Sequence, residues 1–380
     1  MIYLDHNATT PVAAEVLEAM LPWFRERYGN PGSAHALGHL SDGAVVNARE
    51  QVAAMLHASP GEIVFTGSAT EAINHAIRGA LEAFPTKRHV VTTAVEHPAV
   101  QSVLQWASSH GADVTVLPVD SHGQLDLAAV DAALRPETAL LSVMAANNES
   151  GVCFPMPEIA RIAKAKGVWL HVDATQAIGK IPVDAQAWGA DLLNLSAHKF
   201  QGPKGVGALY IRRGLRLKPF LLGGGQERGR RGGTENVPGI VGLGAASALA
   251  AERLPGMDRV RALRDRMEQG LLAIPDVRIL GAESPRLPNT TLAAFSGIEG
   301  EALLLKLNQQ GICVSTGSAC STGHREPSHV LRAMQIPDAF AKGTLRLSLG
   351  WESTDEDIAR VLEVLPPLVA ELRSAAPFSR

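Results

Sequence analysis

The chain has 380 residues, 46% hydrophobic and 19% charged, with a formal charge of −3. That length exceeds what one core organises, so two packed lobes are expected. The near-neutral charge provides no global field for nucleic acid or an anionic membrane. Three cysteines cannot form a disulfide framework and point to a reducing compartment with one chemically used thiol. The N-terminus lacks a basic region followed by an apolar stretch, so no export signal is expected and the location reads as cytoplasmic.

Thr10-Pro11 predicts a helix start, with apolar residues at helical spacing over Val12–Arg27 up to Pro22. Tyr28–Ser33 has the turn chemistry of a loop, and a second helix is expected over Leu40–His57. Strand and helix patterns then alternate. Ile63–Thr66 leads through Gly67–Thr70 into helix Glu71–Leu81, and Val90–Ala94 precedes Glu96-His97-Pro98 and another helix. Val114–Pro118 and Leu140–Ala145 read as strands, with helix Leu125–Leu134 between them. Helix Pro157–Lys166 is closed by Gly167, and strand Val168–Val172 ends at Asp173. A short strand at Leu192–Leu195 runs into Ser196-Ala197-His198-Lys199 and a Gly/Pro turn. Such alternation predicts an α/β fold with a mainly parallel sheet flanked by helices. Val237–Ala251 is apolar but too short for a membrane span and reads as a buried helix. Beyond it come an amphipathic helix at Asp258–Ile274, strands at Asn289–Phe295, Cys313–Ser315 and Leu345–Leu349, and helix Glu301–Gln310. Ser353 with Glu356 fits a capping box for the last helix. The lobe boundary is placed near Leu254-Pro255-Gly256, with residues 1–12 packed on the C-terminal lobe.

Ligands of parallel α/β sheets sit beyond the carboxyl ends of the strands. Gly67–Thr70, Glu96-His97, Asn147–Glu149, Asp173–Gln176 and Ser196–Lys199 each place polar residues there. Backbone N–H groups at Gly67–Thr70 open a helix and suit a phosphate, although the same turn serves as a plain cap. Asp173 either caps the next turn or pairs with a buried cation. A lysine at a strand end can become a nucleophile and base when its surroundings lower its pKa from about 10.4. Schiff-base lysine with aspartate is the recurring protein signature for pyridoxal phosphate. Of the cysteines, Cys153 has only a packing role in view, and Cys313 is expected to be buried and inert. Cys320 lies in Ser315–Gly323, where small residues favour a mobile loop, and its thiol needs local activation. No C-x-x-C pair supports zinc, so no metal is expected. The Gly/Arg stretch Gly223–Gly233 lacks aromatics and makes a poor RNA-binding segment.

Taken together, LDHNATTP at 4–11, GNPGSAH at 29–35, GSATEAINHA at 67–76, EHPAV at 96–100, NNESG at 147–151, HVDATQAIGK at 171–180, SAHKFQGPKGVGAL at 196–209, GGGQERGRRGGTENV at 223–237 and VSTGSACS at 314–321 resemble a cysteine desulfurase. The likeness is to the NifS/IscS type among fold-type I pyridoxal-phosphate enzymes, and it spans nearly the whole chain. It implies a large domain over residues 13–254 with a mainly parallel seven-stranded sheet. A smaller α+β domain would comprise residues 1–12 and 255–380 and carry the cysteine loop. Lys199 would hold the cofactor, Asp173 would pair with the pyridine nitrogen, Gln176 would bond the ring hydroxyl and His97 would stack on the ring. Ala69, Thr70, Ser196 and His198 would hold the phosphate, with Thr234 from the partner of a homodimer. Asn148 and Arg346 would clamp the substrate carboxylate, a geometry suited to arginine. Lys199, Cys320 and His97 would carry the reaction, which converts L-cysteine to L-alanine and leaves sulfur as a persulfide on Cys320. The acceptor would be an iron–sulfur scaffold or another sulfur-accepting protein, with no nucleic acid or membrane partner. The alternatives are a related aminotransferase, which has no use for Cys320, and a selenocysteine lyase.

Overall fold

The computed structural model describes residues 1–316 and 326–375. In chain order, strand β1 (Ile2–Tyr3) precedes helices α1 (Ala14–Met20), α2 (Pro22–Arg25) and α3 (Ala36–Met55). The alternating region follows: β2 (Ile63–Thr66), α4 (Ala69–Ala83), β3 (His89–Thr93), α5 (Pro98–Ser109), β4 (Asp113–Leu117), α6 (Leu127–Ala133), β5 (Thr138–Met144), α7 (Met156–Ala165), β6 (Trp169–Asp173), β7 (Leu192–Ser196) and β8 (Gly207–Ile211). The remainder comprises α8 (Val237–Arg253), α9 (Met257–Leu272), β9 (Val277–Ile279), β10 (Thr290–Phe295), α10 (Gly300–Gln309), β11 (Ile312–Cys313), α11 (His329–Ala333), α12 (Asp338–Ala341), β12 (Thr344–Ser348) and α13 (Asp355–Ala375).

The central sheet has seven strands in the order β2-β8-β7-β6-β5-β3-β4. Only β8 runs against the others, pairing antiparallel with both β2 and β7. The other six therefore point the same way, and their C-terminal ends line one edge. Every residue of β2, β3, β5, β7 and β8 is buried, as expected for strands covered on both faces. A second, antiparallel sheet is ordered β12-β10-β9, and β1 pairs in parallel with β11. Around these smaller sheets α9, α10 and α13 enclose a separate apolar cluster that includes Leu4, Phe295, Leu303, Leu345 and Val361.

The apolar segment α8 is a core helix. Its small residues admit close neighbours: a Cβ on Gly244 would lie 2.6 Å from Ala48 Cα in α3, and one on Gly242 would meet Met20 Sδ at the same distance.

Two helix starts depart from the sequence reading. The first helix begins at Ala14, because the Thr10 hydroxyl is engaged with the His198 carbonyl and the Gln201 N–H. The last helix is boxed by Thr354 and Asp357, whose side chains each accept from the other's backbone N–H, while Ser353 Oγ accepts from Gly350 N–H. Gly244→Val should overpack the α3–α8 contact by about 1–3 kcal/mol and lower the urea midpoint without changing the m-value.

Candidate active site

All five polar strand ends meet at the same sheet edge. Gly67–Thr70 follows β2, Glu96-His97 follows β3, Asn147–Glu149 follows β5, Asp173 closes β6, and Ser196 closes β7 with Ala197–Lys199 after it. At the β2 end, Ser68 caps α4 by accepting from Glu71 N–H, so Ala69 and Thr70 form the first turn. Gly207 makes this approach possible, since a Cβ there would sit 2.6 Å from the Leu195 carbonyl oxygen and 2.9 Å from Ser68 C. An open cleft of about 430 Å³ beside this turn is lined by Thr70, Asn74, Arg78, His97 and Trp106.

Asp173 is buried, and its Oδ1 accepts from Thr175 N–H at 3.0 Å and from Asn194 Nδ2 at 2.8 Å. Asn194 also accepts through Oδ1 from His171, whose other ring nitrogen faces Ser142 Oγ at 2.8 Å. This chain fixes the orientation of the Asn194 amide and hence of the carboxylate. Burial pulls His171 down to about 4, against the opposing pull of Asp173 and the Asn194 bond, so the ring is neutral.

His97 caps α5, with Ala99 N–H donating to its Nδ1 at 3.1 Å. An accepting Nδ1 leaves the proton of the neutral ring on Nε2. Burial holds its pKa below the ordinary value. Asp173 opposes this, while Lys199 and His329 add to it, so all three lie within electrostatic reach. Beneath it, Glu96 accepts through Oε1 from Thr93 Oγ1 and Met144 N–H, and Oε2 has no partner among the described residues.

Lys199 is half-buried and its Nζ donates to the carbonyls of Asn7 at 2.7 Å and Ala8 at 2.9 Å. Neighbouring His198 turns Nδ1 toward Thr9 Oγ1 at 3.1 Å and accepts through its carbonyl from Thr10. Gln176 Nε2 donates to the same Asn7 carbonyl. Opposite them, on β12, buried Arg346 donates through Nη1 to the Asn148 carbonyl at 3.0 Å and through Nη2 to Asp5 Oδ1 at 2.7 Å. Its Nε and the Oδ1 of Asn148 are buried without partners among the described residues. Asn148 is held in place by Asn147, whose Oδ1 accepts from the N–H groups of Glu149 and Ser150.

Thr234 is exposed on the loop after β8. That loop is tied inward by Glu227, which accepts from Arg49 at 2.7 and 2.8 Å and from Phe65 N–H. Glu227 and Arg228 adopt φ of 49° and 59°, left-handed values that these anchors hold in place. The arginines of the stretch are used internally: Arg228 and Arg230 donate to the Ile63 carbonyl and Arg231 pairs with Glu71.

Cys320 lies outside the described residues. Burial pushes the Cys153 thiol up to about 12, in keeping with a packing role. Cys313, expected to be buried, is only half-buried because its short strand lies at the rim beside β1. Among the described residues no group of three or more His, Cys, Asp or Glu side chains could hold a metal.

Sequence reasoning passed over Asp5, Asn7, Lys180 and Asn194. Asn194 had a visible signal, an amide inside the otherwise apolar run of β7.

Residues 2–361 match the family described as aminotransferase class-V. A relative named "Cysteine desulfurase 2" from Trichormus variabilis is 53% identical over all of this chain and 96% of its own length. "Cysteine desulfurase NifS" of Azotobacter vinelandii is 48% identical, covering 99% of this chain and 94% of that one. A solved "NIFS-LIKE PROTEIN" superposes with a TM-score of 0.92 at 40% identity, covering 98% of this chain and all of the other. The chain belongs to the class-V aminotransferase family, with a fold-type I α/β architecture. Within that family it is of the NifS/IscS cysteine desulfurase type.

Glu96 generates a pH prediction. Burial is the main cause that raises it from 4.5 to about 8, outweighing its bonds to Thr93 and Met144. A folded-state value above the unfolded one means that its contribution to stability is complete below about 4.5 and is withdrawn as pH rises through about 8. Glu96→Gln should flatten the loss of melting temperature over that window, read by thermal scans at successive pH values.

Proposed function

We propose that the protein is a pyridoxal-phosphate-dependent cysteine desulfurase that converts L-cysteine to L-alanine and passes the sulfur on for iron–sulfur cluster assembly or thiolation. The observation that carries this reading is the meeting of an amine, Lys199, with an oriented buried carboxylate, Asp173, at adjacent strand ends, opposite an arginine whose buried Nε has no partner among the described residues. The residues fit pyridoxal phosphate. The group needs an amine to hold its aldehyde carbon, an anion for its ring nitrogen and a cradle for its phosphate. Lys199, Asp173 and the first turn of α4 answer these needs, and the close approach at Gly207 keeps that turn beside β7.

Ala69 and Thr70, with Ser196 and His198 from the β7 end, are assigned to the phosphate, joined by Thr234 of a second copy in a homodimer. Gln176 is assigned to the ring oxygen and His97 to the ring face. Pyridoxal phosphate, when bound, supplies an electron sink for the pair left when the substrate Cα loses its proton. Lys199 Nζ is assigned to take that proton. His97 is neutral, with its proton on Nε2, and is suited to hand a proton across the ring face. Arg346 and Asn148 are assigned to orient the substrate carboxylate: the Arg346 Nε–H has no partner among the described residues, and Asp5 and the Asn148 carbonyl fix the guanidinium plane. Cys320 is assigned the acceptance of the substrate sulfur as a persulfide, which an acceptor protein then removes.

We further infer that residues 13–254 form the cofactor-holding domain, that residues 1–12 and 255–380 form the smaller one, and that the protein works in the cytoplasm.

Incubation with L-cysteine should release alanine, and sulfide in the presence of a thiol reductant. Lys199→Ala should reduce alanine release by more than about 10³-fold, since both holding and proton transfer are lost. Cys320→Ala should retain the yellow colour of the bound cofactor yet release no alanine. Full turnover by Cys320→Ala would remove that thiol from the mechanism, and a colourless wild-type protein after incubation with pyridoxal phosphate would overturn the reading of the whole site.

A further inference from the structure

Lys180 is buried beside the site and has no part in the chemistry assigned above. Its Nζ donates to Gln176 Oε1 at 2.5 Å and to Asn7 Oδ1 at 3.2 Å. At the other end of the same amide, Gln176 Nε2 donates to the Asn7 carbonyl at 2.9 Å, the carbonyl that also accepts from Lys199. A carbonyl only accepts, so the NH2 end must lie on its side, and the lysine N–H holds the oxygen end on the other. The Gln176 amide is therefore clamped against flipping, with its NH2 on the side of Lys199. One N–H is spent on Asn7, and the second remains for a ligand oxygen.

Enclosing an amine is expensive, and an apolar side chain of the same length would fill the space at lower cost. What lysine adds is direction. The surroundings agree: burial, reinforced by Lys199 and Arg346, pulls its pKa well below the ordinary lysine value.

We propose that Lys180 is a positioning residue that fixes the Gln176 amide as a hydrogen-bond donor toward the ring oxygen of the cofactor held on Lys199. The proposal rests on the pyridoxal-phosphate reading of the site. It separates the roles of two residues in the irregular turn between β6 and β7. Gln176 touches the cofactor, and Lys180 acts only through Gln176.

The test compares the wild type with Lys180→Met, Lys180→Gln and Gln176→Ala, each stripped of cofactor and titrated with pyridoxal phosphate. The readouts are the dissociation constant and the position of the visible absorbance band, with circular dichroism as a check on folding. Lys180→Met should weaken binding by about tenfold, the equivalent of one lost buried hydrogen bond, and should move the band. Lys180→Gln keeps an N–H donor without the charge and should restore both readouts, with binding within about threefold of the wild type. Gln176→Ala should lose about as much as Lys180→Met, and the double variant no more than Gln176→Ala alone. A wild-type constant and band in Lys180→Met, equal losses in Lys180→Met and Lys180→Gln, or additive losses would each overturn the proposal. Should Lys180→Met fail to fold, Lys180→Gln decides: a constant near the wild type supports the proposal, and one matching Gln176→Ala overturns it. A wild-type protein that gives no band and no saturable binding would instead sink the cofactor reading itself.

Discussion

A single peptide carbonyl, that of Asn7, holds the site together. It accepts from Lys199 at 2.7 Å and from Gln176 at 2.9 Å, while the Asn7 side chain reaches Thr290, Asn289, Lys180 and the Asn148 carbonyl. The segment around it continues the same work. Asp5 braces Arg346, Ala8 adds a second acceptor for Lys199, and Thr9 and Thr10 hold His198. Neither sheet alone positions the amine, the amide and the guanidinium relative to one another. Residues 5–10 do so because their backbone lies between the two and bonds to both.

Around this seam the electrostatics are arranged to favour anions. Burial keeps His97 and His171 below the ordinary histidine value, so at neutral pH they serve as oriented dipoles. His198 is pulled to about 4 by burial and by Lys199, Lys204 and Lys180. Enclosure raises Glu96 to about 8, and burial raises Glu149 to about 7 against the Ser328 hydrogen bond and the Arg346 charge that lower it. The buried carboxyls Glu96 and Glu149 are thus muted, whereas Asp173 is held by Asn194 and Asp5 by Arg346. The cationic side chains Lys199 and Arg346 face the region where its charges would lie.

Much of this was legible in the chain. Six co-directional strands follow from apolar runs separated by helical periods, and polar residues at the strand tips follow from the rule for ligand sites in such sheets. The likeness of whole segments supplied the residue roles that spacing alone could not. What stayed hidden depended on distance along the chain. Asp5 and Arg346 are 341 residues apart, and nothing local at either position announces the pair. Lys180 reads as an ordinary lysine at the end of a turn until its acceptors are seen. Local chemistry also misled where a tertiary bond claimed the side chain first. Thr10 had the sequence of a helix cap but is held by His198 and Gln201, and Ser353 is occupied by Gly350, so Thr354 caps the last helix instead.

The threading of the first dozen residues through the middle of the molecule has a consequence for biosynthesis. Asp5 is made long before the strand that receives it. At roughly 5–20 residues per second, the gap of 341 residues corresponds to about 20–70 s of translation. During that interval the nascent chain can complete its central sheet, and residues 7–10 can bond to Lys199 and His198 there, while Asp5 still waits for Arg346. The brace between Asp5 and Arg346 therefore forms only after the central sheet has been made, so the guanidinium is the last of the charged groups described at the site to be set in place.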